Sequence, residues 1–454
     1  MQDVIGYINS HKEQYVDELK DFLRIPSIST LAANKNDMLT AANFVAAKFT
    51  EAGMENVKII ETKGHPLVYA DWLHAPGKPT LLVYGHYDVQ PVDPINLWDS
   101  PPFEPTIKDG KIYARGATDD KGQMYMHIKS VEAYFKTLGK LPLNVKFIIE
   151  GEEEIGSGNL DEFVNKNQDM LKSDAVMISD TSLYGPGIPT LTYGLRGLCY
   201  MEVVVTGPNR DLHSGTFGGG VDNPINVLAE MISKLKDSNG KIKIPGFYKD
   251  VINLTKKEKQ NFKTLPFSEK RYAKALGVKQ LNGEKGYSTL ERVWARPTLD
   301  CNGIFGGFTG EGAKTVLPSK ATAKISMRLV PNQDPKKIGK LFTNYINKIA
   351  PKTVKVEIVD LHGAYPIATS LDDKATLAAS AALAKVFGKK TVFMREGGSI
   401  PIVVTFAKKL KAAPVLMGMG LNTENLHSPN EHFNLNHFHL GILSSAYFFD
   451  EFSK

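Results

Sequence analysis

The feature that most limits what this chain can fold into is its alternation of strand-like and helix-like segments, several of which run straight into a His, Asp or Glu. Apolar β-type runs at 80–84, 145–149 and 175–178 are separated by stretches with helical spacing, the clearest at 121–135. Such alternation predicts an α/β domain with a largely parallel sheet flanked by helices. Open sheets of this kind collect ligands outside the carboxyl ends of their strands. Five separated segments place candidate ligands at such ends or turns: Gly85-His86-Tyr87-Asp88, Ala117-Thr118-Asp119-Asp120-Lys121-Gly122, Glu150-Gly151-Glu152-Glu153-Glu154-Ile155-Gly156, Ser179-Asp180-Thr181 and Asn425-Leu426-His427-Ser428.

At 454 residues the chain is longer than one core usually serves, so two domains are expected. The opening segment has Val4, Ile5, Ile8, Val16, Leu19, Phe22 and Leu23 at helical spacing and reads as one packing helix ended by Pro26. The texture changes near 193–197. A strand at 201–205, a helix announced by Asn223 and Pro224, a charged stretch at 250–291, a long β-type run at 320–329, a helix at 335–349 and a strand at 354–359 make an α+β layer. Beyond about 365 the strand and helix texture of the first part returns. The expected organisation is a catalytic domain in two parts, 1–194 and 366–454, with an inserted α+β domain at 195–365.

Composition narrows the function. A formal charge of +6 is spread among interleaved acids and bases, without the basic arms or blocks of a nucleic-acid binder. No window approaches the roughly 18 apolar residues of a membrane span. The first two dozen residues are too charged for a secretion signal, and two cysteines, Cys199 and Cys301, cannot build a disulfide framework. A cytoplasmic protein acting on a small molecule, with no nucleic acid and no membrane partner, is expected.

Taken singly, each candidate has a bland explanation. His86 and Asp88 lie two apart on a strand, so they share a face and the carboxylate can orient the imidazole. Asp119 and Asp120 precede a helix, where capping would account for one of them; bridging two cations would account for an aspartate that faces away. Glu152, Glu153 and Glu154 would repel one another on a bare surface, whereas the flanking Gly151 and Gly156 permit a backbone excursion that aims neighbouring glutamates at different targets.

Three motifs occurring in order, Gly-His-Tyr-Asp-Val-Gln-Pro at 85–91, Gly-Ala-Thr-Asp-Asp-Lys-Gly at 116–122 and Glu-Gly-Glu-Glu-Glu-Ile-Gly-Ser at 150–157, resemble a dinuclear zinc metallopeptidase family. It includes aminoacylase, acetylornithine deacetylase, succinyl-diaminopimelate desuccinylase and the carnosinase-like dipeptidases, and the likeness is to that last, cytosolic nonspecific dipeptidase branch. It extends through Ser-Asp-Thr at 179–181, Asp-Leu-His-Ser-Gly at 211–215, Arg328-Leu-Val-Pro, Arg-Glu-Gly-Gly-Ser-Ile-Pro at 395–401 and Leu-His-Ser at 426–428. The resemblance implies a zinc-exopeptidase-like first domain and an inserted lid and dimerisation domain. It implies that His86 and Asp180 hold one metal, that Glu154 and His427 hold the other, and that Asp119 bridges them across a cis Asp119–Asp120 peptide. By the same likeness Glu153 is the general base and Asp88 the partner of His86. His213 is similar to the family histidine that reaches the active site of the partner subunit, which implies a homodimer. Arg328 is similar to the arginine that grips the substrate carboxylate, favouring exopeptidase action at a free carboxyl end. Glu396 and Ser399 match residues that line the pocket for the amino end and backbone of a dipeptide. Two histidines and three carboxylates suit two divalent ions, zinc first, with manganese or cobalt as alternatives. Ser157-Gly158-Asn159 departs from the expected acidic continuation of the glutamate motif.

Competing chemistries fit less well. Gly397-Gly398-Ser399-Ile400-Pro401 fails the GxSxG pattern of a serine hydrolase. In 307–315, Ala313 separates Gly312 from Lys314 and breaks the phosphate-loop signature. An intact Glu153 argues against a noncatalytic scaffold. An N-acyl amino acid amidohydrolase would share every metal ligand and is the alternative within the same fold.

Overall fold

The computed structural model describes residues 1–454 and divides into two compact units. One comprises 1–193, 369–394 and 401–454; the other comprises 194–368 and 395–400. The short segment 395–400, which the expected 366–454 part would assign to the first unit, instead groups with the inserted one. Its Ser399 hydroxyl donates to the carbonyl of Arg196 at 2.5 Å, and Arg196 Nε donates to the carbonyl of Gly397 at 3.4 Å.

The first unit is built on a mixed sheet. Its strands run in the order Glu55–Ile60, Leu67–Trp72, Asn144–Glu150, Thr80–His86, Ala175–Ile178, Ala413–Leu416 and Thr190–Leu195. The four central strands, from Asn144–Glu150 to Ala413–Leu416, are mutually parallel, and the flanking ones are antiparallel. The parallel centre is buried along its strands, as parallel strands generally are. The uninterrupted apolar runs of the centre, such as Leu81, Leu82 and Val83, are fully buried. The helices Lys35–Glu51, Lys121–Leu138, Lys374–Phe387 and Leu435–Phe452 supply Phe49, Tyr125, Leu383 and Phe449 to the same core. Because the central strands are parallel, Glu150, His86, Ile178 and Leu416 all end on one edge of the sheet.

The opening segment forms two helices, Gln2–Ser10 and Lys12–Leu23, broken at His11 with φ −111° and ψ 17°. Hydrophobic spacing survives such a break, because both pieces bury residues against one core. No helix of the chain is long and apolar enough to cross a membrane.

The second unit has a four-stranded antiparallel sheet in the order Thr298–Gly306, Lys320–Leu329, Gly197–Thr206 and Lys355–Ala364. Val203, Val205, Ala323, Ile325 and Met327 are buried beneath the helices Pro224–Ser233 and Pro335–Ile349. Asn223 caps the first of these, accepting from Ile225 N, with Pro224 in its first turn. The charged stretch 250–291 contributes the short helices Lys256–Thr264 and Glu269–Ala275 and leads into Thr289–Ala295.

Candidate metal centre

The parallel edge of the first unit gathers the candidate ligands. His86 is the last residue of its strand and is completely buried. Its Nδ1 lies 3.3 Å from Asp88 Oδ1 and 3.1 Å from the Asp88 carbonyl oxygen, which directs Nε2 outward to within 3.2 Å of Asp119 Oδ1. Asp119 stands just before the Lys121–Leu138 helix, and its peptide bond to Asp120 is cis. The second Asp119 oxygen is 2.8 Å from His427 Nε2, which is also 3.3 Å from Glu154 Oε2. Two potential ligand sets result, His86 with Asp119 and Asp180, and Asp119 with Glu154 and His427, the ligand atoms of each lying within 4.8 Å of one another. They share Asp119.

Asp88 also shapes the glutamate turn. Its two oxygens accept the backbone N–H groups of Glu153 at 3.2 Å and Glu154 at 3.1 Å. Gly151 is required for space, since a Cβ there would come within 2.5 Å of the Tyr87 ring, whereas Gly156 is required for conformation, with φ +98°. The three glutamates then diverge. Glu152 turns away, accepting from His65 N at 3.1 Å and Asn159 Nδ2 at 2.7 Å. Glu154 faces His427 and Gln90, and Glu153 lies at the start of the turn between them. Ser157, where the motif departs from the expected acid, is buried and donates to Glu150 Oε1 at 2.7 Å.

Electrostatics define what the cluster lacks. Burial pushes the Glu153 carboxyl up to about 7, with His86 partly offsetting it, and burial plus Asp119 pushes Glu154 up to about 8. Burial likewise holds Asp180 well above the usual carboxylate range. Asp119 is the exception: despite burial, the hydrogen bond from His427 and the charge of the nearby His86 imidazole hold it well below that range. Too many carboxylates face too little positive charge, and the buried His86 Nε2 has no hydrogen-bond partner. Oxygen and imidazole donors with an orphaned ring nitrogen fit divalent cations of the zinc type. The His427 side chain is 55% exposed, so the centre is open on that side.

The remaining expected residues lie in the second unit. Arg328, on the Lys320–Leu329 strand, donates from Nη1 to Ser399 Oγ at 3.3 Å. Glu396 ends the strand Val392–Glu396. His213 is exposed at the N-terminus of a single helical turn and accepts from Gly215 N at 3.0 Å. Arg196 is a group that motif reading passed over: burial and the neighbouring Arg328 pull its guanidinium down to about 10, and the two arginines line one cavity of about 520 Å³ with Ser326 and Asp300. Gln90 was legible only as part of the 85–91 motif; it donates from Nε2 to Glu154 Oε2 at 2.7 Å and so fixes a candidate ligand.

The chain is similar to known proteins along nearly its whole length. Residues 82–450 match the model of peptidase family M20/M25/M40. The Cys-Gly metallodipeptidase dug1 of Schizosaccharomyces pombe is 35% identical over 451 residues, covering 96% of this chain and 94% of that protein. The human Beta-Ala-His dipeptidase is 33% identical over 471 residues, covering 100% and 93%. Among solved structures, an M20 family metallo-carboxypeptidase from Sulfolobus solfataricus superimposes with a TM-score of 0.86 at 35% identity, covering 97% of this chain and 99% of that one.

Proposed function

Because the chain belongs to peptidase family M20/M25/M40, whose members depend on a dinuclear metal centre, we propose that it is a metal-dependent dipeptidase hydrolysing the single peptide bond of its substrate. The observation that carries this reading is the pair of ligand sets sharing Asp119, with Glu153 on the adjoining turn. The names of the relatives from fission yeast and human, both dipeptidases, support the substrate class. The amidohydrolase alternative has no such support.

In this reading His86 and Asp180 hold one ion, Glu154 and His427 the other, and Asp119 both. Zinc suits these donors best, with manganese or cobalt as alternatives. When bound, two divalent ions supply Lewis acidity that polarises the scissile carbonyl and acidifies the attacking water. Glu153 removes a proton from that water as its oxygen bonds to the carbonyl carbon, then delivers the proton to the amine nitrogen as the C–N bond breaks. Asp88 orients His86 and, through the two N–H groups it accepts, the turn that carries Glu153.

Arg328 offers a planar, two-pronged donor for the substrate's free carboxylate, and Ser399 and Glu396 serve its backbone and amino end. His213 donates to the developing oxyanion in the partner subunit, which makes the active species a homodimer. The catalytic domain is then the first unit, and the second is the lid and dimerisation domain. Both cysteines are free thiols, which suits the reducing cytoplasm.

The test is hydrolysis of a dipeptide panel beside the matching N-acetyl amino acids, using metal-stripped protein and the same protein reconstituted with zinc or manganese. Only the reconstituted protein should act, and only on dipeptides. Cleavage of the acyl amino acids alone would move the chain to the deacylase reading.

A further inference from the structure

The two halves of the metal centre that come from distant parts of the chain are joined by one buried carboxylate that no motif singled out. Glu431 is 0% exposed, and its two oxygens accept four hydrogen bonds from the loop that ends in Asp119. Oε2 receives Arg115 Nη1 at 2.8 Å and Gly116 N at 3.0 Å; Oε1 receives Thr118 N and Asp119 N, each at 3.1 Å. Three main-chain N–H groups converging on an anion form a nest of the sort that binds phosphate elsewhere. Here the anion belongs to the protein. Arg115 is itself held by the Pro91 carbonyl at 3.0 Å and is almost completely buried.

Glu431 closes the loop that carries His427. At the other end of that loop Glu424, also buried, accepts from Thr118 Oγ at 3.1 Å and from Leu421 N at 2.8 Å. Between the two anchors the backbone is contorted, with Asn425, His427 and Asn430 all near φ +60°. A non-glycine residue in this region is disfavoured and persists only where its surroundings enforce it. The anchors at both ends provide that enforcement. They set His427 Nε2 against Asp119 Oδ2 at 2.8 Å.

We propose that Glu431 is a positioning residue for the metal centre: it holds the N–H groups of the 116–119 loop so that Asp119 presents its carboxylate to both ions, and it fixes His427 in register with it. The inference rests on the two-ion reading of the site. A buried carboxylate could also serve stability alone, so the test must separate ligand geometry from fold. Residues that orient metal ligands typically change affinity by about 10- to 100-fold when altered.

Metal-stripped parent protein and Glu431→Gln are titrated with zinc against a chelating indicator, and both are loaded with manganese for electron paramagnetic resonance. Lys129→Met, which removes the ion pairs of a buried lysine with Glu18 and Glu132 away from the loop, calibrates a loss of stability without a change at the ligands. The expected result is zinc binding weakened about 10- to 100-fold in Glu431→Gln, with the spin-coupled signal of a bridged manganese pair replaced by that of isolated ions, while Lys129→Met keeps both properties. If Glu431→Gln does not fold, Glu431→Asp, which keeps the charge but withdraws it by one methylene, carries the same comparison. Parent-like zinc affinity and spin coupling in the variant, with only the melting temperature lowered, would overturn the proposal. Failure of the parent itself to bind two ions would instead overturn the two-ion reading.

Discussion

Three consecutive glutamates at the centre face three different partners, and this division of labour is set by single neighbours. Glu152 is tied to His65 and Asn159, Glu154 to Gln90 and His427, and Glu153 is left on a turn held by Asp88. Replacing Glu153 by Gln preserves volume and removes the proton acceptor. The expected outcome is a fall in kcat of about 10²- to 10⁴-fold with two ions still bound, checked by steady-state dipeptide hydrolysis together with metal analysis. Loss of an ion along with activity would reassign Glu153 as a ligand. Most ligand candidates could be read from sequence because they sit where a strand stops or a helix begins, whereas His427 lies in the loop between Leu421 and His432 and was legible only through its motif. Their supports could not be read this way. His65 lies 87 residues from Glu152, and Glu431 lies more than three hundred residues from the loop it holds. No local pattern carries such a pairing.

Between elements, the N-terminal helix Lys12–Leu23 is fastened to Lys121–Leu138 by charge as well as by apolar contact. Glu18 accepts from Gln14 Nε2 at 2.9 Å, from Tyr125 Oη at 2.6 Å and from the buried Lys129. Burial alone would raise the Glu18 carboxyl, but the bonds from Lys129 and Tyr125 outweigh it and hold the group at about 2. A folded-state value below the unfolded one means that the stabilisation is complete above about pH 4.5 and is lost as pH falls towards 2. Allowing for solvent screening, the contribution is about 1–2 kcal/mol. Chemical denaturation of metal-stripped protein at pH 6 and pH 3 should therefore show a smaller loss of stability on acidification for Glu18→Gln than for the parent. An unchanged loss would mean that Glu18 does not sense the folded state. At this scale the strands and long helices were legible because periodicity is a local property. The break at His11 was not, since the two helices bury residues of one continuous pattern. The helices within 250–291 were hidden by their charge, although Thr255 with Glu258 and Ser288 with Glu291 form reciprocal caps whose three-residue spacing is a readable start signal.

For the whole molecule the decisive question is whether one chain suffices. The second unit exposes Phe217, Val221, Ile304, Phe305 and Phe308, and Thr298–Gly306 is an edge strand of its sheet. Exposed large apolar side chains and an unpaired strand edge favour association with another chain. His213, whose exposed imidazole bonds to Gly215 N within its own turn, has the chemistry to serve a neighbouring subunit. If it acts across a two-fold interface, the variants Glu153→Gln and His213→Ala should each be nearly inactive alone. Mixed under conditions that exchange subunits, they should recover activity, because a hybrid dimer contains one site with both an intact Glu153 and an intact His213 from its partner. With random reassortment half the dimers are hybrids and half their sites are whole, so roughly a quarter of the parent activity is expected. If His213 acts within its own chain, no site in any hybrid regains both groups and mixing restores nothing. The same samples, followed by sedimentation, separate that outcome from a failure to exchange: hybrids formed with one subunit tagged but inactive would assign His213 to its own chain, and a monomer throughout would rule out its action across an interface.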